Sequence, residues 1–262
     1  MGDAPLKLQN MTITCHHHLN VTDVDAQKKF FVDTLGGSLV AIGTTSDAIV
    51  GFSNALIFLR EQAPTGGTKG TTVNHFAFGV PNIRHMVDRV KAAGWAMATR
   101  AETPPAQEVK DDLAFMVDQQ TDVAFMIGPD DTKIEFIEIP RQTAPTAVHH
   151  IHFLTPQVAE MKAWYVDAFD ARPGKRGNFE AADLPGVNLT YSPSPTPVVG
   201  TIGRALDHIG FEIANLETLC RRLQDRGIVF DQPFDQDEEL NVGGAMLTDP
   251  WGTRIRDRKS VV

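Results

Sequence analysis

The sequence predicts an α+β fold made of four βαβββ modules, and three observations carry that prediction. Eight of the nine histidines fall in four short strand-like segments, CHHHLNV (15–21), VNHFAFGV (73–80), VHHIHFLT (148–155) and LDHIGFEI (206–213). Each segment is followed by a polar turn and a stretch with apolar residues at three- and four-residue spacing. The copies are also evenly spaced: His16 to His150 is 134 residues and His75 to His208 is 133, while His16–His75 and His150–His208 span 59 and 58. A two-module unit has been duplicated in tandem.

The elements follow in order from this register. After the first histidine strand, VDAQKKFFVDTLGG reads as a helix, and SLVAIG, AIVGFS and ALIFLR read as three short strands with glycine and aspartate punctuation. IRHMVDRVKAAG is the helix of the second module, VAEMKAWYVDAFDA of the third and NLETLCRRLQDRG of the fourth. Asp23, Asn82, Thr155 and Asn215 stand where helix N-caps belong, because their side chains can accept from free first-turn N–H groups. The polar, proline-containing stretch RQTAPTA (141–147) reads as the linker between the two module pairs. The expected domains are therefore 1–140, holding modules one and two, and 148–262, holding modules three and four.

Composition narrows the function. The 262 residues carry a formal net charge of -9, which argues against a nucleic-acid surface, where clustered Lys and Arg are needed. Two distant cysteines, Cys15 and Cys220, imply no disulfide framework and suit a reducing cytoplasm. The stretch MGDAPLKLQNMT has no apolar run of signal-peptide length, and no run in the sequence reaches membrane-spanning length. A soluble protein is therefore expected, with a small-molecule substrate as partner and a homodimer as one possible assembly.

Taken together, HHHLNVTD followed by FFVDTLGG, then HFAFGV, GPDDTKIEFIE, HHIHFL, ALDHIGFEI and DPWGTRI resemble the vicinal oxygen chelate superfamily. That group includes glyoxalase I, bleomycin- and fosfomycin-resistance proteins, methylmalonyl-CoA epimerase and extradiol dioxygenases. The resemblance covers nearly the whole chain. It implies two tandem domains, each a curved mixed sheet forming a half-barrel, with helices on the outside and a divalent metal on the concave side. It also implies that first strands supply His or Gln ligands and fourth strands supply Glu.

Strand alternation sorts the histidines independently. In VNHFAFGV, Phe76, Phe78 and Val80 share the covered face, which leaves His75, Ala77 and Gly79 for the cavity. By the same parity, His150 and His152 oppose Ile151 and Phe153, and His208, Gly210 and Glu212 oppose Ile209, Phe211 and Ile213. Leu19 and Val21 put His17 and Cys15 on the covered face and His16, His18 and Asn20 toward the cavity. Glu135 faces the cavity in TKIEFIE.

Neighbour pairing of the modules then predicts His16, His75 and Glu135 as metal ligands. This two-histidine, one-carboxylate set leaves coordination positions open, suiting Fe(II) first and Mn, Ni, Co or Zn with less discrimination. His18 is the candidate acid–base residue, with a solvated or metal-flanking polar residue as the equal alternative. The alternative pairing, module one with four and two with three, would complete His75 and Glu135 with His150 and leave His16 with His208.

Departures from the resembled pattern shape the functional expectation. Phe58 stands where glyoxalase I would place a second glutamate, and Met126 where an extradiol enzyme carries a tyrosine. Arg256 replaces the fourth-module glutamate, so that half is expected to lack metal, with Arg256 pairing with Glu212 or binding an anion. The expectation is a metal-dependent enzyme chelating adjacent oxygens of a small organic substrate, first as an Fe(II)-dependent dioxygenase. The alternatives are a redox-neutral glyoxalase-like isomerase or lyase and a metal-free binding protein of the resistance type. Substrate-determining loops are expected at 97–112, 172–188 and 231–243.

Overall fold

The computed structural model describes residues 14–41, 48–237 and 242–259. All four modules form. Module one runs β1 (Cys15–Val21), α1 (Val24–Lys29), β2 (Ser38–Val40), β3 (Ala48–Gly51) and β4 (Ala55–Glu61), with a π-helical turn over Phe30–Thr34 extending α1. Module two contains β5 (Val73–Val80), α2 (Ile83–Ala92), the short α3 (Thr99–Glu102), β6 (Ala114–Met116), β7 (Thr121–Ile127) and β8 (Lys133–Glu138). Module three is β9 (Ala147–Thr155), α4 (Val158–Phe169), β10 (Arg172–Arg176), β11 (Phe179–Leu184) and β12 (Val187–Pro193). Module four is β13 (Leu206–Ile213), α5 (Leu216–Asp225), β14 (Phe230–Asp237), β15 (Val242–Thr248) and β16 (Arg254–Lys259).

Local chemistry explains the helix starts. Asp23 and Asn82 cap α1 and α2, accepting from the N–H groups of Ala26 and His85 at 2.9 and 3.0 Å. Thr155 does not cap α4 itself but accepts from the Gln157 N–H at 3.0 Å, and Asn215 makes no side-chain cap bond to α5. Two expected loops contain strands: 172–188 is largely the β10–β11 hairpin, and 231–243 holds most of β14, with residues 238–241 outside the described set.

The module pairing differs from the expected one. One eight-stranded sheet has the order β14-β15-β16-β13-β1-β4-β3-β2 and the other β10-β11-β12-β9-β5-β8-β7-β6. Module one is thus joined to four and module two to three, so each sheet draws on both expected domains, 1–140 and 148–262. The seams are antiparallel: β1 against β13 and β5 against β9. After β8 the linker carries the chain to the far side of β5, where β9 pairs; the chain reaches β5 from β4 by changing sheets.

The apolar faces of both sheets and the helices share one core. Ring contacts cross between the sheets, His17 with Phe76 and Phe52 with Phe78 both at 4.7 Å between centroids, and Phe169 of α4 with Phe211 at 5.3 Å. Each fully buried phenylalanine contributes roughly 2–3 kcal/mol relative to exposure. His17 and Cys15 are fully buried on this face, as alternation predicts. Among the described residues, no helix is long and apolar enough to cross a membrane.

Candidate metal centre

The concave face of the β5–β9 sheet gathers His75, Glu135, His150 and His152, whose ligand atoms all lie within 4.8 Å of one another. Register explains the gathering. His75 stands opposite His152 across the β5–β9 seam, Ala77 stands opposite His150, and Ala77 is also beside Glu135 on β8. The small Ala77 leaves space between His150 and Glu135 that a larger side chain would fill.

The donor atoms point at one another. Glu135 Oε2 lies 2.9 Å from His75 Nε2 and 3.1 Å from His150 Nε2. On its other side, His75 Nδ1–H donates to Asn74 Oδ1 at 2.9 Å, which leaves Nε2 as a bare lone pair. His150 Nε2 accepts from Arg176 Nη2 at 3.1 Å, while its Nδ1 lies 3.0 Å from His149 Nδ1. Three acceptors therefore converge, and a cation seated among them reconciles them. That donor set, with a partner orienting each imidazole, fits a divalent metal.

Burial governs the titration here. Burial pushes His75 down to about 4 against the raising effect of Glu135, and drives His150 and His152 well below the usual imidazole range. Burial alone would raise the Glu135 carboxyl; a positive charge facing it from His150 and His75 outweighs this and holds it well below the usual carboxylate range, and a bound cation would supply that charge with both imidazoles neutral. Neutral imidazoles and an ionised carboxylate are the forms that bind metals.

His152 Nε2 lies 2.7 Å from Ser192 Oγ, and its buried Nδ1 has no partner among the described residues. Phe125 and Phe179 set their rings edge-on against His75 and His152 at 5.7 and 5.4 Å. On β12, Thr190 lies opposite His152 as Glu135 lies opposite Ala77, so the position related to Glu135 by the seam's pseudo-twofold holds a hydroxyl.

His16 and His18 are placed elsewhere. Both are on β1 in the other sheet, so the expected ligand set of His16, His75 and Glu135 is split and His150 stands where His16 was expected. His16 Nε2–H donates to the Arg256 carbonyl at 2.8 Å, and its Nδ1 is 3.3 Å from Glu212 Oε1. His18 stacks between Phe58 and His208 at centroid distances of 4.2 and 4.0 Å, away from the role expected of it beside the metal. His208 Nδ1–H donates to Asp207 Oδ1 at 2.7 Å. Glu212 meets His16, and its register partner is Arg258; Arg256 pairs across to Met246.

Sequence reasoning left His152 without a role and did not find Asn74, His149, Arg176 or Ser192. Same-face parity with His150 was the available signal for His152. His149 carried none, because a bulge between the Ala77–His150 and Phe78–Val148 pairs puts two consecutive histidines beside the cluster.

Comparison with known proteins agrees with this architecture. The model of the Glyoxalase/Bleomycin resistance protein/Dioxygenase superfamily matches residues 13–136 and again 147–256, and the chain belongs to that superfamily. Glyoxalase I from Zea mays is similar in structure, with 16% identity, a TM-score of 0.68, and 94% of this chain and 92% of that chain covered. A Bacillus subtilis protein provisionally named a dioxygenase has 13% identity and a TM-score of 0.66, with 97% and 86% covered. The cppA protein from Streptococcus pneumoniae has 12% identity and a TM-score of 0.52, with 96% and 100% covered. At these identities the likeness shows a shared fold. No curated protein matches the chain in sequence.

Proposed function

We propose that this chain is a metal-dependent enzyme that chelates two adjacent oxygens of a small organic substrate, with Fe(II)-dependent dioxygenation as its reaction. The observation that carries the reading is the convergence of His75 Nε2, His150 Nε2 and Glu135 Oε2, with 2.9 and 3.1 Å separating the carboxylate oxygen from the two nitrogens. Two imidazoles and one carboxylate on one side of an ion leave further positions open, the arrangement suited to Fe(II), while Mn, Ni, Co and Zn bind the same donors with less discrimination. When bound, the metal would act as a Lewis acid toward the chelated oxygens and, as Fe(II), open dioxygen chemistry.

The chain's own residues do the rest. Asn74 and His149 fix the ring orientations of His75 and His150. The His152–Ser192 pair holds a proton next to the cluster, and His152 takes the acid–base role expected of His18. Phe125 and Phe179 limit water on two sides. Thr190 supplies no second carboxylate, which counts against a proton-shuttling isomerase that needs two opposed glutamates.

Elemental analysis of untagged protein, followed by anaerobic Fe(II) loading and an oxygen-uptake screen, tests the reading. One equivalent of metal and uptake with a vicinal-oxygen substrate are expected. Iron without uptake across catechols, hydroquinones and 2-oxo acids moves the assignment to redox-neutral chemistry. Protein in which His75→Ala or Glu135→Ala still holds one equivalent overturns the site.

A further inference from the structure

The strands β10 and β6 are the two opposite edges of the β5–β9 sheet, yet the turns that follow them touch. The Asn178 N–H donates to Asp118 Oδ2 at 2.7 Å, and Arg176 Nη1 donates to Gln119 Oε1 at 2.6 Å. Gly177 makes the approach possible: its φ is +56°, and a Cβ there would fall 2.2 Å from Asp118 Oδ2. Arg176 reaches inward from this closure. Its Nε donates to Thr190 Oγ1 at 2.9 Å, its Nη2 to His150 Nε2 at 3.1 Å, and its guanidinium lies 5.6 Å from the Phe179 ring centre. A groove of about 600 Å³ beside it is lined in part by Phe115, Gln119, Arg141 and His149.

The bond from Arg176 to His150 uses the lone pair that a bound metal would take. A metal on His150 therefore releases the Nη2–H, which stays beside the ion and needs a new acceptor, because a buried donor left unpaired is costly. Charge argues the same way. A divalent ion and the Arg176 guanidinium, three positive charges together, face the two carboxylates of Glu135 and Asp118, and Lys133 and Lys69 already share Glu102 at 2.9 and 2.5 Å. The loaded site carries an excess of positive charge that a neutral ligand would leave uncompensated in a low-dielectric setting. A carboxylate cancels part of it and matches the planar donor edge of a guanidinium.

We propose that Arg176 makes this site selective for ligands whose chelating oxygens include a carboxylate, namely 2-oxo and 2-hydroxy acids. The inference rests on the metal reading above. In it, Arg176 determines specificity: one carboxylate oxygen and the neighbouring oxygen are for the metal, and the remaining carboxylate oxygen accepts from Nη2–H.

The test uses the full chain loaded with Ni(II), which binds these donors without turnover, and two probes of near-equal shape: mandelate, and its neutral amide mandelamide. Titration calorimetry should show mandelate bound at least tenfold more tightly by the wild type. Arg176→Met should bring the two within about twofold with nickel stoichiometry unchanged, and Arg176→Lys, which keeps a point charge, should retain part of the preference. One equivalent of nickel with equal affinities, with no mandelate binding, or with an undiminished preference in Arg176→Met overturns the role of Arg176 alone. Wild-type protein that binds no nickel overturns the metal reading and this inference with it. A carboxylate also binds Ni(II) more tightly than an amide, so equal wild-type affinities overturn the proposal by themselves, while a wild-type preference is assigned to Arg176 by its loss in Arg176→Met and its partial retention in Arg176→Lys.

Discussion

His150 Nε2 and Glu135 Oε2 meet at 3.1 Å although they belong to different halves of the duplicated sequence. The contact exists because β9 pairs with β5 and places modules two and three in one sheet. Sites of this kind cannot be assembled from either half alone, so the seam between the halves is also where the chemistry is expected.

This relationship separates two ligand sets by mutation. His75→Ala, His150→Ala and Glu135→Ala should each abolish stoichiometric metal binding, whereas His16→Ala should retain one equivalent because His16 is engaged with the Arg256 carbonyl in the other sheet. Asn74→Ala removes only the partner of His75 Nδ1 and should weaken metal affinity by about 10–100-fold, the usual effect of losing an orienting group. Competition with a metal-binding dye measures all five. Metal loss in His16→Ala, with retention in His150→Ala, would restore the neighbour-paired set.

The β1–β13 seam depends on a missing side chain. Gly210 allows His16 to lie across β13, and a Cβ at that position would come 1.9 Å from the Arg256 carbonyl oxygen and 2.1 Å from His16 Nε2. Because one obstacle is backbone, a rotamer change cannot relieve it. Gly210→Ala should cost at least about 3 kcal/mol, at the upper end for overpacking, seen as a lowered thermal midpoint. Its folded fraction should still bind metal, since the cluster lies on the other sheet. A midpoint unchanged from wild type would rule out this packing.

Much of the fold was legible because alternation and helical period leave marks at every few residues. His75, Ala77 and Gly79 against Phe76, Phe78 and Val80 fixed the face of β5, and the face of β9 followed in the same way. Pairing left no such mark: His16 and His150 occupy equivalent positions in equivalent strands, so either satisfies the ligand pattern. The choice is made by packing between sheets, such as His17 against Phe76 and Asn54 Nδ2 donating to the Val148 carbonyl at 2.7 Å. Arg176 was hidden for another reason. It enters the site from an edge hairpin whose position depends on contacts with a turn 57 residues earlier in the chain.

The two sheets are also joined through a buried hydroxyl. Tyr165 on α4 donates to Asp249 Oδ2 at 2.9 Å, while Asp249 Oδ1 accepts from the Trp251 and Thr253 N–H groups at 2.9 and 2.7 Å. Tyr165→Phe preserves the ring packing and removes one donor from a buried carboxyl. The loss should be about 1–3 kcal/mol by urea denaturation at neutral pH. An unaltered midpoint would show that the bond adds nothing to stability.

His17 gives the sharpest pH prediction, because it lies in the shared core rather than at a site. It is fully buried against Phe76, and neither ring nitrogen has a partner among the described residues. Burial, helped by nearby His16, pushes its pKa from 6.5 down to about 3. Between those values the unfolded chain binds a proton that the folded chain refuses, so stability falls as pH drops below 6.5, by about 1.4 kcal/mol per unit. Above 6.5 the ring is neutral in both states and adds no pH dependence. His17→Leu removes this slope and also the cost of two unpaired buried nitrogens, about 1–3 kcal/mol. In urea denaturation the variant should exceed wild type at pH 7.5, and the margin should widen by about 2 kcal/mol at pH 5. A margin that stays constant between the two pH values would mean that the imidazole is accommodated, and titrates, elsewhere than in the core.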